Sequence, residues 1–225
     1  MRPLLLVPLL FGAVPAFAQV EEIDQVEPGK GEWQAETLGS YGGTDDHQIE
    51  VIAGVTDRLV LGMQAEFEGR RLEGWGPVAL YRFSDPETSP VGLGLETQIE
   101  IDRGGRLGEA ELRGIVDRRS PNWWVQANLM LRHQRDEGKR GTNLAYAASV
   151  QHALGDKAWL GIEASGRAVR LGGDPEAAAQ GEHYAGPSLT VELGGDTVEL
   201  GAAWLQRLAG GGPKSEPRVF LQFTF

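Results

Sequence analysis

Apolar and polar residues alternate along most of this chain. In VGLGLETQIEID, Val91, Leu93, Leu95, Thr97, Ile99 and Ile101 share one face, while Gly92, Gly94, Glu96, Gln98, Glu100 and Asp102 share the other. In LVLGMQAEFEG, Leu59, Leu61, Met63, Ala65 and Phe67 oppose Gly62, Gln64, Glu66 and Glu68. The final stretch, RVFLQFTF, sets Val219, Leu221, Phe223 and Phe225 against Arg218, Gln222 and Thr224, with Phe220 as its one exception. A period of two held over six or more residues predicts strands with one apolar and one polar face. No helical stripe at spacings of three and four runs through these segments. Turn signals divide the chain into twelve predicted strands, at 31–42, 47–56, 59–70, 73–84, 91–102, 107–118, 122–135, 142–153, 158–170, 182–193, 198–209 and 217–225.

The connections alternate too. TDR, SDPETSP, RRSPN, LGDK and GGD form one set; GGTDDH, GRRLEG, RGGR, DEGKRG, GGDPEAAAQGEH and AGGGPKSEP form a more polar and variable one. An even strand number with two kinds of connection fits a closed antiparallel transmembrane β-barrel over residues 31–225, short turns on the periplasmic side and loops outside. A two-residue turn at Gly104-Gly105 would set Ile101 opposite Gly108, Glu100 opposite Glu109, Ile99 opposite Ala110, Thr97 opposite Leu112 and Leu95 opposite Gly114. Outward positions then meet outward positions, which a one-residue slip would destroy.

Targeting and charge narrow the setting. Residues 1–18, MRPLLLVPLLFGAVPAFA, carry a basic start at Arg2, an apolar run from Leu4 to Val14 and an Ala16-Phe17-Ala18 exit, the three parts of a secretory signal peptide cleaved before Gln19. Residues 19–30 form an acidic periplasmic leader. Acidic residues outnumber basic ones 32 to 21, for a net charge of −11, which argues against a nucleic-acid partner. There is no cysteine, so disulfides and thiolate metal sites are excluded. Export combined with strand alternation predicts the bacterial outer membrane, with its lipid as one partner.

Aromatic residues support the same picture. Trp33, Trp75, Trp123, Trp159, Trp204, Phe223 and Phe225 are expected at the membrane interfaces, where amphipathic rings concentrate. The aromatic C-terminus resembles the signal read by the barrel-assembly machinery of Gram-negative outer membranes, a resemblance that implies contact through Phe225.

The polar faces then line the interior. Glu66, Glu96, Glu100, Glu109, Glu111, Arg113, Arg132, Glu163 and Arg167 are the candidate lumen-lining and selectivity residues. Charges there call for water or for opposite partners. Glu96 and Arg113 would be cross-strand partners, and Arg132 would compensate the like-charged pair Glu100 and Glu109. An acidic wall on strands three to six would face a basic contribution from strands seven to twelve, and the leader could enter the lumen and contact the Arg side. This predicts a channel passing small solutes through a charged, mainly acidic lumen. The competing readings are a side-chain-plugged structural or interaction barrel and an outer-membrane lipid hydrolase. Catalysis is disfavoured because Ser149 lies on the face opposite His152, which shares the outward parity of His133, while His47 and His183 sit at loop boundaries. No His spacing suits a metal, and no cofactor is expected.

The N-terminal third also resembles a known family. VEPGKGEWQAETLGSYGG followed by GVTDRLVLGMQAEFEG is similar to the opening of the outer-membrane barrels grouped with the meta-pathway of phenol degradation, at Pro28, Gly29, Trp33, Glu36, Gly54, Thr56, Asp57 and Arg58. The resemblance implies a transport barrel for small solutes, aromatic ones included. Twelve-stranded acidic-sugar porins are of similar length but have lumens dominated by Arg, so a mainly acidic lumen argues against an anionic sugar.

Overall fold

A computed structural model describes residues 23–43, 45–86, 88–136, 138–194 and 197–225. The predicted signal peptide, residues 1–18, lies outside them. Twelve strands follow one another: β1 Trp33–Tyr41, β2 Asp45–Gly54, β3 Leu59–Glu68, β4 Arg71–Ser84, β5 Gly92–Asp102 and β6 Leu107–Arg119 form the first half; β7 Trp123–Asp136, β8 Lys139–Ala153, β9 Ala158–Gly173, β10 Glu182–Leu193, β11 Val198–Ala209 and β12 Ser215–Thr224 form the second. Each pairs antiparallel with its sequence neighbour, and β1 pairs with β12, so the sheet is a closed barrel. Past the last ladder residue, Trp33 and Phe225 exchange backbone hydrogen bonds of 2.8 and 2.9 Å. Closure through that seam leaves no sheet edge in hydrocarbon.

The two faces separate as the alternation predicts. Leu61, Met63, Leu95, Ile99, Leu112, Leu129, Leu131, Leu160, Ile162 and Leu200 are exposed on the outside. Between them Gln64, Glu96, Gln98, Glu111, Asn128, Arg132 and Arg218 are buried within. An exposed apolar belt around the whole circumference exceeds any patch tolerated in water, and is what a strand-built membrane span needs.

Two local details differ from expectation. The β5–β6 connection is a three-residue loop, Arg103–Gly105, because the Asp102 N–H donates to the Arg106 carbonyl (2.8 Å) and Gly105 takes φ +74°. Such a loop brings a bulge with it. Ile101 therefore faces Leu107 rather than Gly108, while Glu100 faces Glu109 and the remaining pairs stand as read from the alternation. The second correction is Trp159, only 4% exposed and inside the barrel. Its neighbour Leu160 is the outward residue, and the parity shared with Glu163 and Arg167 requires this.

Residues 23–30 run inside the barrel at the end carrying the Trp33–Phe225 seam. Val26 is fully buried against inward-facing Ile52, Val60, Val78, Leu80 and Ile115. Ile23 packs on Met130, Ala145 and Ala147. The segment leaves under β2, where Gly31 donates to the Gly54 carbonyl (2.8 Å) and Gly54 to that of Glu32 (3.0 Å). A Cβ on Gly54 would overlap the Gly29 carbonyl oxygen, so only glycine lets the two backbones cross there.

Candidate functional site

The N-terminal segment divides the interior into a packed side and an open side. On the packed side, Glu111 stands between two guanidiniums, accepting from Arg113 Nε at 2.7 Å and from Arg132. Arg132 also reaches Glu109 at 3.7 Å, and Arg113 pairs with Asp24 of the segment. Asp24 is held further by its backbone, whose N–H donates to Asn128 Oδ1 (2.6 Å) and whose carbonyl accepts from Asn128 Nδ2 (3.2 Å). Arg82 donates to the Pro28 carbonyl at 3.3 Å. Asp24, Glu109 and Glu111 endure burial here because Arg113 and Arg132 match them with opposite charge.

On the open side a cavity lies between the segment and a wall formed by β7 to β12, β1 and β2, joined by Glu96 of β5. Seven carboxylates line it: Asp24 and Glu27 from the segment, and Glu36, Glu50, Glu96, Glu163 and Glu199 from the wall. Arg218 is the single basic residue of that lining. It is held by Glu216 and Glu163, each at 2.8 Å, and by Ser165 at 3.1 Å. Amides and hydroxyls fill much of the remainder: Gln151 donates to Ser188 (3.1 Å) and Thr190 (3.2 Å), and Ser149 donates to Gln126 (2.9 Å). Phe220, the residue that broke the terminal alternation, turns its ring inward over Gly201.

The nine candidate lumen residues occupy inward positions but do not form one site. Glu109, Glu111, Arg113 and Arg132 gather on the packed side. Glu66 and Glu100 lie beside them, within electrostatic reach of Glu109. Glu96 and Glu163 border the cavity, and Arg167 pairs with Glu182 at 3.2 Å. Glu96 is opposite Arg113 in the ladder. Opposite charges are thus interleaved rather than separated into two walls: Arg82 and Arg113 stand among the acidic strands, and Glu192, Glu199 and Glu216 among the basic ones.

Alternation alone passed over two features. The apolar strip beneath Val26 was signalled by doubled apolar residues, Val51-Ile52, Val60-Leu61 and Ile115-Val116, which put hydrocarbon on both faces. The other feature is a cage at the barrel end near the seam. The Arg119 guanidinium lies 4.7 Å from the ring centroid of Trp124 and 4.9 Å from that of Trp159, and it pairs with Glu192. Adjacent tryptophans part company there: Trp123 is half exposed outside, while Trp124 is 2% exposed and donates to Asp117 at 3.0 Å. Trp33, Trp75, Trp204, Phe223 and Phe225 are all exposed on the outer face, Trp204 midway along β11. Each histidine has a neighbour of its own: His47 packs on Tyr41, His152 on Trp123, His133 lies 2.9 Å from Thr142 Oγ1, and His183 lies 3.1 Å from the Tyr146 hydroxyl. Ser149 points inward and His152 outward.

Comparison with solved structures places the fold. An outer membrane channel from Pseudomonas putida F1 superposes with a TM-score of 0.64 at 12% identity, covering 92% of this chain and all of that one (100%). The NanC porin gives 0.59 at 9% identity, over 84% and 98% of the two chains. The KdgM porin in complex with disordered oligogalacturonate gives 0.58 at 10% identity, over 85% and 99%. The chain shares the closed-barrel fold of these outer-membrane proteins. No family model matches the chain, and no curated protein matches it in sequence.

Proposed function

We propose that this protein is an outer-membrane channel that passes small solutes between its N-terminal segment and the opposite wall. The observation that carries the reading is a cavity lined by charged and amide side chains inside a barrel whose outer face is apolar. Polar groups at that density require water or a polar solute as their partner. Asp24 and Glu163 are matched by Arg113 and Arg218, and the five further carboxylates of the lining create a negative potential, so cations and neutral solutes are favoured over anions. The resemblance of the opening residues to the phenol meta-pathway barrels supports transport as the role and keeps small aromatic solutes within range, with Phe220 offering flat apolar surface. Outer-membrane lipid is the partner of the apolar belt, and Phe225, at the seam, is the residue offered to the assembly machinery.

Purified full-length protein in planar bilayers should give discrete conductance steps with a cation-favouring reversal potential under a salt gradient. Replacing Glu36, Glu50, Glu163 and Glu199 by Gln should move that potential toward zero. A second reading, a barrel plugged by residues 23–30, is favoured by the buried packing of Val26 and the Asp24–Arg113 pair. Conductance no greater than that of protein-free bilayers would select it.

A further inference from the structure

We infer that the open side of the lumen is a binding subsite for an organic cation bearing N–H donors, such as an alkyl diamine. The inference rests on the channel reading above and specifies the solute class. Its basis is a row set by strand register. Glu192 faces Glu199, Glu199 faces Gln222, Gln222 faces Glu36, Glu36 faces Glu50, and Glu50 faces Gln64, so six adjacent strands contribute four carboxylates and two amides in one continuous line. Neighbouring strands stand about 4.8 Å apart, and like charges directly opposite each other are destabilising unless a cation offsets them.

At one end the protein supplies that cation itself. Arg119, between two tryptophan rings, pairs with Glu192. The same chemistry continues along the row into the cavity, where Glu199, Gln222, Glu36 and Glu50 all border the open space.

An independent observation comes from the amides. The side-chain oxygens of Gln34 and Gln151 are buried and, among the described residues, have no hydrogen-bond partner, and both residues line the cavity. Gln151 has committed its N–H groups to Ser188 and Thr190, which leaves its oxygen to accept. Carboxylates along a line, the Gln34 acceptor two residues from Glu36 on β1, and the Gln151 acceptor on β8 call for a ligand that carries positive charge and donates several hydrogen bonds. Among the described residues no three acidic or histidine side chains converge as a metal site would require, so a compact metal ion fits less well than an extended cation.

The test is equilibrium dialysis of radiolabelled 1,4-diaminobutane against the folded full-length protein in detergent. Tetramethylammonium, charged but without N–H donors, and 1,4-butanediol, uncharged, serve as competitors. Diaminobutane should bind saturably, and neither competitor should displace it at equal concentration. Glu36→Gln with Glu50→Gln, and separately Gln151→Leu, should each weaken binding on the order of tenfold, the scale of losing one charge-assisted hydrogen bond. Asp156→Asn, in the exposed β8–β9 turn, should leave it unchanged. Displacement by tetramethylammonium would remove the donor requirement, displacement by butanediol the charge requirement, and unaltered binding in Gln151→Leu the location; any of the three overturns the inference. Dialysis does not need conductance, so a silent bilayer sinks the channel while leaving the subsite, and a conducting protein that ignores diaminobutane does the reverse.

Discussion

Val26 is the residue on which the N-terminal segment turns. It is fully buried, and its contacts are the inward apolar residues of β2, β3, β4 and β6. Val26→Asp removes burial worth about 2 kcal/mol. It also places a carboxylate among Ile52, Val60, Val78, Leu80 and Ile115 without a partner, at a further cost of roughly 1–3 kcal/mol. The segment's other attachments, among them Asp24 to Asn128 and Arg113, the Pro28 carbonyl to Arg82, Gln25 to Glu199, and Ile23 on Met130, act independently of Val26. None of them belongs to the strand ladder, so the penalty falls on docking of the segment and leaves the barrel closed. About 3 kcal/mol corresponds to a shift of roughly 100-fold in the docked-to-undocked ratio. The chain has no cysteine, so Gln25→Cys supplies a unique thiol whose modification by a water-soluble maleimide reports undocking. In the Val26→Asp background, labelling should accelerate by roughly that factor where opening limits the rate, and bilayer conductance should rise. Equal labelling rates with and without the substitution would refute the argument that this apolar contact holds the segment in the lumen.

Three further outcomes follow from the same geometry. Gly54→Val should undock the segment by steric overlap with the Gly29 carbonyl, giving fast labelling in the Gln25→Cys background while heat-modifiable gel mobility still reports a folded barrel. Arg132→Met should destabilise the barrel by about 3–5 kcal/mol, because Glu109 and Glu111 lose a shared buried counter-charge, and adding Glu111→Gln should recover part of the loss in thermal unfolding. Brominated lipid should quench the fluorescence contributed by Trp204 but not that contributed by Trp159, read as the difference on replacing each by Phe; quenching of Trp159 would contradict its inward placement.

Much of the architecture could be read from the alternation because a strand side chain has only two directions to point. Leu95, Ile99 and Leu112 faced lipid, and Glu96, Glu111 and Arg132 faced inward, as a period of two requires. Every strand boundary lay within three residues of its expected place. The ring chemistry of Trp159 points to a membrane interface, but its parity places it inside. The Ile101 pairing failed because the number of residues in a turn depends on φ at Gly105, which no periodicity encodes. The site was less legible. Parity says that Glu109, Glu163 and Glu199 share an interior, but not that the first meets Arg132, the second Arg218 and the third the cavity.

The sequence by itself determined that this chain makes twelve amphipathic strands, that opposite faces want opposite media, and that its last strand must close on its first. Tertiary structure alone settled which charges neutralise one another and which border open space. Those outcomes depend on strand register around the whole circumference and on where residues 23–30 cross the interior. A side chain's direction is local, whereas its partner across a barrel comes from strands far away along the chain, and only closure brings the two together.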